Sequence, residues 1–188
     1  MKSGSIKKPN CNEIFYVPQK PYLPTGNLRD QIIYPLSYED YIAEGGKDEY
    51  LLKLLESVDI SHIYKRETEK FDAVKNWKFV LSGGEKQRVN MARLYFHKPK
   101  FAILDECTSA VSVDVEDKMY SQAKAYGITL ITCSHRKSLW KFHDYILNIK
   151  EDSVDFTKMN EELLAAVSSK NIIKEIRDND SIMDEKNN

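Results

Sequence analysis

A chain of 188 residues with 41% apolar content has single-domain length and enough apolar surface to bury a core. Its formal charge of −1 removes the argument for a nucleic-acid partner, which needs a basic face. The three cysteines, Cys11, Cys107 and Cys133, have neither even number nor metal-ligand spacing, which excludes a disulfide framework and favours a reducing compartment.

In chain order, residues 1–12 read as a leader: MKSGSIKKPN has basic residues with no apolar segment behind them, so it is no secretory signal. Glu13 to Val17 (EIFYV), β-branched and aromatic and stopped by Pro18, predicts a short strand. Pro18 to Gly26 holds three prolines and a glycine and predicts a loop. From Asn27 to about Val80 the pattern turns helical, with Tyr50, Leu51, Leu54, Leu55 and Val58 forming an amphipathic stripe. Phe101 to Leu104 predicts a strand, Asp114 to Tyr126 a helix and Ile128 to Cys133 another strand, an alternation expected of a parallel α/β sheet. Both apolar runs are far shorter than the roughly 20 residues of a membrane-crossing helix. From about Lys150 the chain is polar, with one helix expected near Asn160 to Arg177 and a disordered tail, DNDSIMDEKNN.

The chemistry concentrates in LSGGEKQRVNMARLYFHKPKFAILDE. Ser82 and Glu85 form a capping box, so a helix should run from there to about His97. Gly83 and Gly84 leave its first-turn amides uncovered, at a terminus whose orphan N–H groups and dipole favour phosphate. Taken alone, Ser-Gly-Gly-Glu reads first as a plain capped helix. Phe101 to Leu104, apolar on both faces, delivers Asp105 and Glu106 to the C-terminal edge of the sheet, where open α/β folds bind ligands. One of two adjacent carboxylates there can hold Mg²⁺ through water and the other can polarise an attacking water. The second strand ends in Ser134 and His135, whose imidazole can meet a γ-phosphate or that water. His62, His97 and His143 are read as structural.

In this order, Gln19 in a proline-bounded loop, LSGGE, a helix, four apolar residues with DE, and a strand-end histidine resemble the ATPase domain of ABC transporters. The resemblance implies a P-loop NTPase-like α/β fold with an inserted helical subdomain at residues 24–98, a core at 99–150 and a polar extension at 151–188. It makes Gln19 the Q-loop glutamine, which contacts Mg²⁺ and water. It makes Leu81, Ser82, Gly83, Gly84 and Glu85 the signature motif, which serves the ATP of an opposite subunit. Asp105 becomes the Walker B aspartate, Glu106 the catalytic glutamate and His135 the switch histidine. Ser109, Ala110, Val111 and Ser112 take the D-loop place, where most members read SALD. That SAVS, with ECTSAVSVDVE, FYVPQKPYLPTGNLRDQIIYP and SHRKSLWKFHDYIL, is similar to subfamily D.

That subfamily comprises half-transporters of the peroxisomal membrane, acting on very-long-chain fatty acids or their CoA esters. The implied partners are a second ATPase subunit and a transmembrane domain, with no nucleic acid. Two alternatives stay open: a degenerate domain donating only its signature face, and a soluble ABC ATPase. The family's Walker A loop has no match among the eighteen residues before Gln19, and Gly45-Gly46-Lys47 is no substitute. The chain is therefore expected to be the C-terminal part of an ATPase domain. Phe101 to Leu104 is expected to present an unpaired apolar edge, leaving the chain poorly soluble and a weak ligand for Mg·ATP.

Overall fold

Three strands are laid side by side by the places where their apolar side chains can be covered. The computed structural model describes residues 5, 7–151 and 153–165. In it β1 (Ile14–Val17) pairs with β2 (Phe101–Asp105), and β2 pairs on its other flank with β3 (Thr129–Cys133), all in parallel. Val17 lies opposite Leu104, and Asp105 opposite Cys133. Parallel neighbours point their C-terminal ends to one edge, so the residues next after each strand emerge together.

The central place of β2 corrects one expectation. Phe101–Leu104 is no open edge, because the chain crosses over through α7 (Val113–Ala125) and returns as β3 alongside it. Nor is β2 covered equally on its two faces. Ala102 and Leu104 are fully buried, whereas Phe101 and Ile103 are half-buried. On the neighbouring strands α6 (Gly83–His97) packs against β1 and α7 against β3, and the two helices meet: Tyr95 of α6 donates to the Met119 carbonyl of α7 at 2.6 Å, with both residues buried.

Between β1 and α6 the chain builds a helical layer. Asn27 caps α1 (Leu28–Ile33) and Ser37 caps α2 (Tyr38–Ala43), each accepting from an amide three residues on. The leucine stripe becomes α3 (Asp48–Ser57), with Leu51, Leu54, Leu55 and the following Val58 buried. Next come α4 (Ser61–Arg66) and the short α5 (Trp77–Val80). Both α1 and α3 pack on α6. Arg29 knots this layer together: its guanidinium meets Asp48 at 2.9 and 2.8 Å and Asp72 at 2.7 Å. Arg29 itself is buried while Asp48 is half-exposed and Asp72 exposed, so only one member of the network loses most of its water.

A second compact unit begins at Arg136. A 3-10 turn (Lys137–Phe142) leads into a hairpin of β4 (Tyr145–Ile149) and β5 (Val154–Lys158), with Tyr145 stacked on Phe156 at 5.0 Å. The polar reading of the stretch from Lys150 missed β5, although Val154 and Phe156 alternate with Asp155 and Thr157 at strand period. A helix starts at Glu161 and is described to Ala165. The remainder of the helix expected to Arg177, and the terminal tail, lie outside the described residues.

Among the described residues no strand pairs with the second edge of β3, and Ile131 there is 51% exposed. The other edge strand, β1, is only four residues long and ends at Pro18, which blunts it. Self-association should therefore run through β3. Ile131→Lys should raise the concentration at which the chain begins to scatter light, while changing stability by no more than about 0.5 kcal/mol. Unchanged scattering would place the sticky surface elsewhere.

Candidate active site

Asp105 closes β2, and Glu106 turns the chain away from the sheet with φ at 44°. A left-handed backbone costs an ordinary residue about 1–2 kcal/mol, comparable with the net worth of one or two hydrogen bonds, each about 1 kcal/mol. Glu106 has three to hold it. Its N–H donates to the Cys133 carbonyl at 3.0 Å, its carbonyl accepts from Ser109 N–H at 3.2 Å, and its Oε1 accepts from His135 N–H at 2.9 Å. The side chain is thus fixed between β2 and the end of β3. What meets Glu106 is the backbone of His135; the histidine itself is exposed.

Asp105 has a partner that sequence reasoning missed. The Tyr16 hydroxyl, on β1, donates to Asp105 Oδ2 at 2.8 Å. That bond lifts the Tyr16 phenol above its ordinary value, so it remains a donor at neutral pH. Tyr16 belongs to an alternating strand pattern, and only the register between β1 and β2 shows that it reaches Asp105. Gln19 emerges beyond Pro18 at the same edge, exposed and bonded to neither acid. Gln19, Asp105, Glu106 and His135 therefore share one edge, with direct contact limited to Glu106 and His135.

The other residues singled out from sequence gather at the start of α6. Leu81 is buried and closes α5, donating its N–H to the Trp77 carbonyl. The capping box forms as expected: Ser82 Oγ accepts from Glu85 N–H at 3.3 Å, and Glu85 Oε2 accepts from Ser82 N–H at 2.8 Å. Against this turn lies the loop of Ser109 to Ser112. A Cβ at Gly84 would stand 2.9 Å from the Ala110 carbonyl oxygen, whereas one at Gly83 would meet only the Ala110 methyl at 3.7 Å. Gly84 is needed for a close approach within the chain; Gly83 leaves its amide open to something outside it.

The loop after Gln19 is held by a device absent from the sequence reading. Its carbonyls are taken at alternate residues by side-chain donors: Tyr22 by Arg93 at 2.9 Å, Pro24 by Gln31 at 3.0 Å, and Gly26 by Trp77 at 3.1 Å. Arg93, on α6, also donates twice to the Gln31 carbonyl, at 2.9 and 2.7 Å. Burial lowers Arg93 to about 10, leaving it protonated at neutral pH. A charged residue inside an apolar helical stretch, Ala92-Arg93-Leu94, was the available signal.

These groups suit phosphate and a divalent ion. Gly83 is exposed at the positive end of a helix of 15 residues. Tyr16 and His135 each occupy one oxygen of a carboxylate, leaving Asp105 Oδ1 and Glu106 Oε2 unbonded among the described residues. The open oxygen of one acid is a hard donor that suits Mg²⁺, and that of the other can accept a proton from water. Among the described residues no group of three or more His, Cys, Asp or Glu is placed to hold a metal ion.

His62, structural on the sequence reading, supports the cap: its Nε2 lies 2.8 Å from Glu85 Oε1, with Arg66 at 3.7 Å. Burial pushes Glu85 upward, but the bonds from His62 and Ser82 and the charge of Arg66 outweigh it and hold the carboxyl below its ordinary 4.5. A depressed carboxyl contributes stability above the unfolded value and loses it as pH falls through the folded one. Denaturant midpoints of the wild type and of Glu85→Gln should therefore differ most above pH 4.5 and converge in more acid solution. A gap that is constant with pH would show that the Glu85 charge carries none of the stability.

A family profile described as ABC transporter matches residues 3–109, more than half of the chain. ATP-binding cassette sub-family D member 3 of Mus musculus is 54% identical over 160 residues, which cover 85% of this chain and 24% of that protein. Sub-family D member 1 of Drosophila melanogaster is 49% identical over 150 residues, covering 79% and 20%. The lysosomal cobalamin transporter of Homo sapiens is 42% identical over 139 residues, covering 72% and 23%. A solved bacterial Atm1-family ABC exporter with ATP bound superposes with a TM-score of 0.60 at 27% identity, over 72% of this chain and 23% of that one. The chain spans about a quarter of the length of the first of these relatives. It belongs to the ABC transporter family, as part of a subfamily D ATP-binding domain.

Proposed function

We propose that this chain is part of the ATP-hydrolysing domain of a half-transporter that dimerises and couples ATP turnover to transport. The reading is carried by the convergence of Gln19, Asp105, Glu106 and His135 at one sheet edge, while Gly83 lies open at the start of α6. In this reading residues 24–98 form the helical subdomain bearing the signature, and residues 99–150 belong to the core. The amides at Gly83 and Gly84 face the γ-phosphate of an ATP held by the opposite subunit. Asp105 and Gln19 would hold Mg²⁺, which when bound would neutralise phosphate charge. Glu106 accepts a proton from the attacking water, and His135 orients the γ-phosphate.

The runs FYVPQKPYLPTGNLRDQIIYP and ECTSAVSVDVE support a finer assignment: long- or very-long-chain fatty acids or their CoA esters as cargo, at the cytosolic face of the peroxisomal membrane. A cobalamin transporter shares 42% identity, so the ATP-site motifs alone do not specify the cargo. The non-catalytic alternative would leave Glu106 without a task. Its placement by three hydrogen bonds favours the catalytic reading.

Two substitutions test this. A Cβ at Gly83 would meet nothing closer than the Ala110 methyl at 3.7 Å, so the backbone leaves room for Gly83→Asp to fold. By blocking the phosphate approach and adding like charge, it should abolish ATP-driven pairing with a subunit that carries Walker A. Sedimentation showing an undiminished ATP-dependent dimer would contradict the placement.

Glu106→Gln keeps an oxygen to accept from His135 N–H and removes only the base. In a full-length half-transporter containing these residues, turnover should fall by about 10²–10⁴-fold with ATP binding retained. Turnover within a few-fold of wild type would remove Glu106 from the reaction.

A further inference from the structure

Gln87 lies on the second turn of α6, 4% exposed, and both ends of its amide are engaged. Oε1 accepts from Ala110 N–H at 2.8 Å, and Nε2 donates to Ser109 Oγ at 3.0 Å. A buried primary amide that satisfies its donor and its acceptor on consecutive residues of one loop fixes that loop in direction as well as distance. The same loop touches α6 a second time, where the Ala110 carbonyl lies over Gly84. From there the bonds continue: Ser109 N–H reaches the Glu106 carbonyl at 3.2 Å, and Glu106 Oε1 accepts from His135 N–H at 2.9 Å.

We propose that Gln87 is a positioning residue that locks the loop of Ser109 to Ser112 onto α6, so that the glycine turn at Gly83 and Gly84 and the carboxylate of Glu106 move as one body. Glu106 sits in a left-handed backbone that its surroundings must maintain. One of its three restraints comes from Ser109, whose place Gln87 helps set. Loosening the loop at Gln87 therefore loosens Glu106, and with it the amide of His135. The significance for catalysis rests on the ATP reading above; the coupling does not.

The test is amide hydrogen exchange on the 188-residue chain without nucleotide, so that its failure stays separate from failure of the ATP reading. Gln87→Met preserves volume and removes both hydrogen bonds. Exchange at Ala110 should rise about tenfold, the loss of roughly one hydrogen bond. His135 should rise by several-fold as well, while Tyr95 and Ile63, in α6 and α4, stay unchanged. Gln87→Glu keeps an oxygen for Ala110 N–H and a second that the Ser109 hydroxyl can donate to, and it should restore both amides to within a few-fold of wild type. If Gln87→Met does not fold, Ser109→Ala removes one of the two bonds and is read in the same way. Faster exchange at Ala110 with His135 unaffected would overturn the proposal, as would failure of Gln87→Glu to restore His135.

Discussion

Hydrogen-bond ladders on both flanks of β2 determine where three separate pieces of chain leave the sheet, and the rest of the site depends on that. Because β1, β2 and β3 are parallel, Pro18-Gln19, Asp105-Glu106 and Ser134-His135 all leave at one edge. Because Val17 is level with Leu104 and Asp105 with Cys133, they leave at nearly the same height. Slipping either ladder by one residue would turn alternate side chains to the wrong face. Tyr16 would then no longer reach Asp105, and the Glu106 amide would lose the Cys133 carbonyl.

Two neighbouring glycines show how one short motif serves two masters. Gly84 is small because the chain's own backbone comes close to it; Gly83 faces away from the chain. The capping box, anchored by His62 and Arg66, stiffens the turn that presents both. Arg93 and Gln31 then tie the same helix to the loop leaving β1, and Arg29 ties the helical layer to itself. Arg93 donates chiefly to backbone carbonyls and Arg29 to carboxylates with solvent access, which avoids the penalty of an isolated buried charge.

Much of this was legible in the sequence because it is local. Ser82 and Glu85 signal a helix start within four residues, the leucine stripe fixes one face of α3, and FAILDE states both its strand and its acids. What escaped depends on contacts between distant segments. Tyr16 and Asp105 are 89 positions apart, and Arg93 and Tyr22 are 71. The flanking of β2 by β3 is likewise a matter of crossover, which an apolar run cannot report. The strand Val154–Lys158 was missed for another reason: overall polarity outweighed a period-two pattern that was present.

One site for a metal-bound nucleotide, formed at the sheet edge by Gln19, Asp105, Glu106 and His135, is what this geometry supports. It is tested most directly by adding Mn²⁺·ATP to the isotopically labelled chain and recording which amide signals broaden, since paramagnetic relaxation detects even weak binding and acts only at short range. Gln19, Asp105, Glu106 and His135 should broaden first, ahead of exposed acids elsewhere such as Glu39 and Asp40 of α2. Broadening spread evenly over surface carboxylates, with the sheet edge untouched, would contradict it.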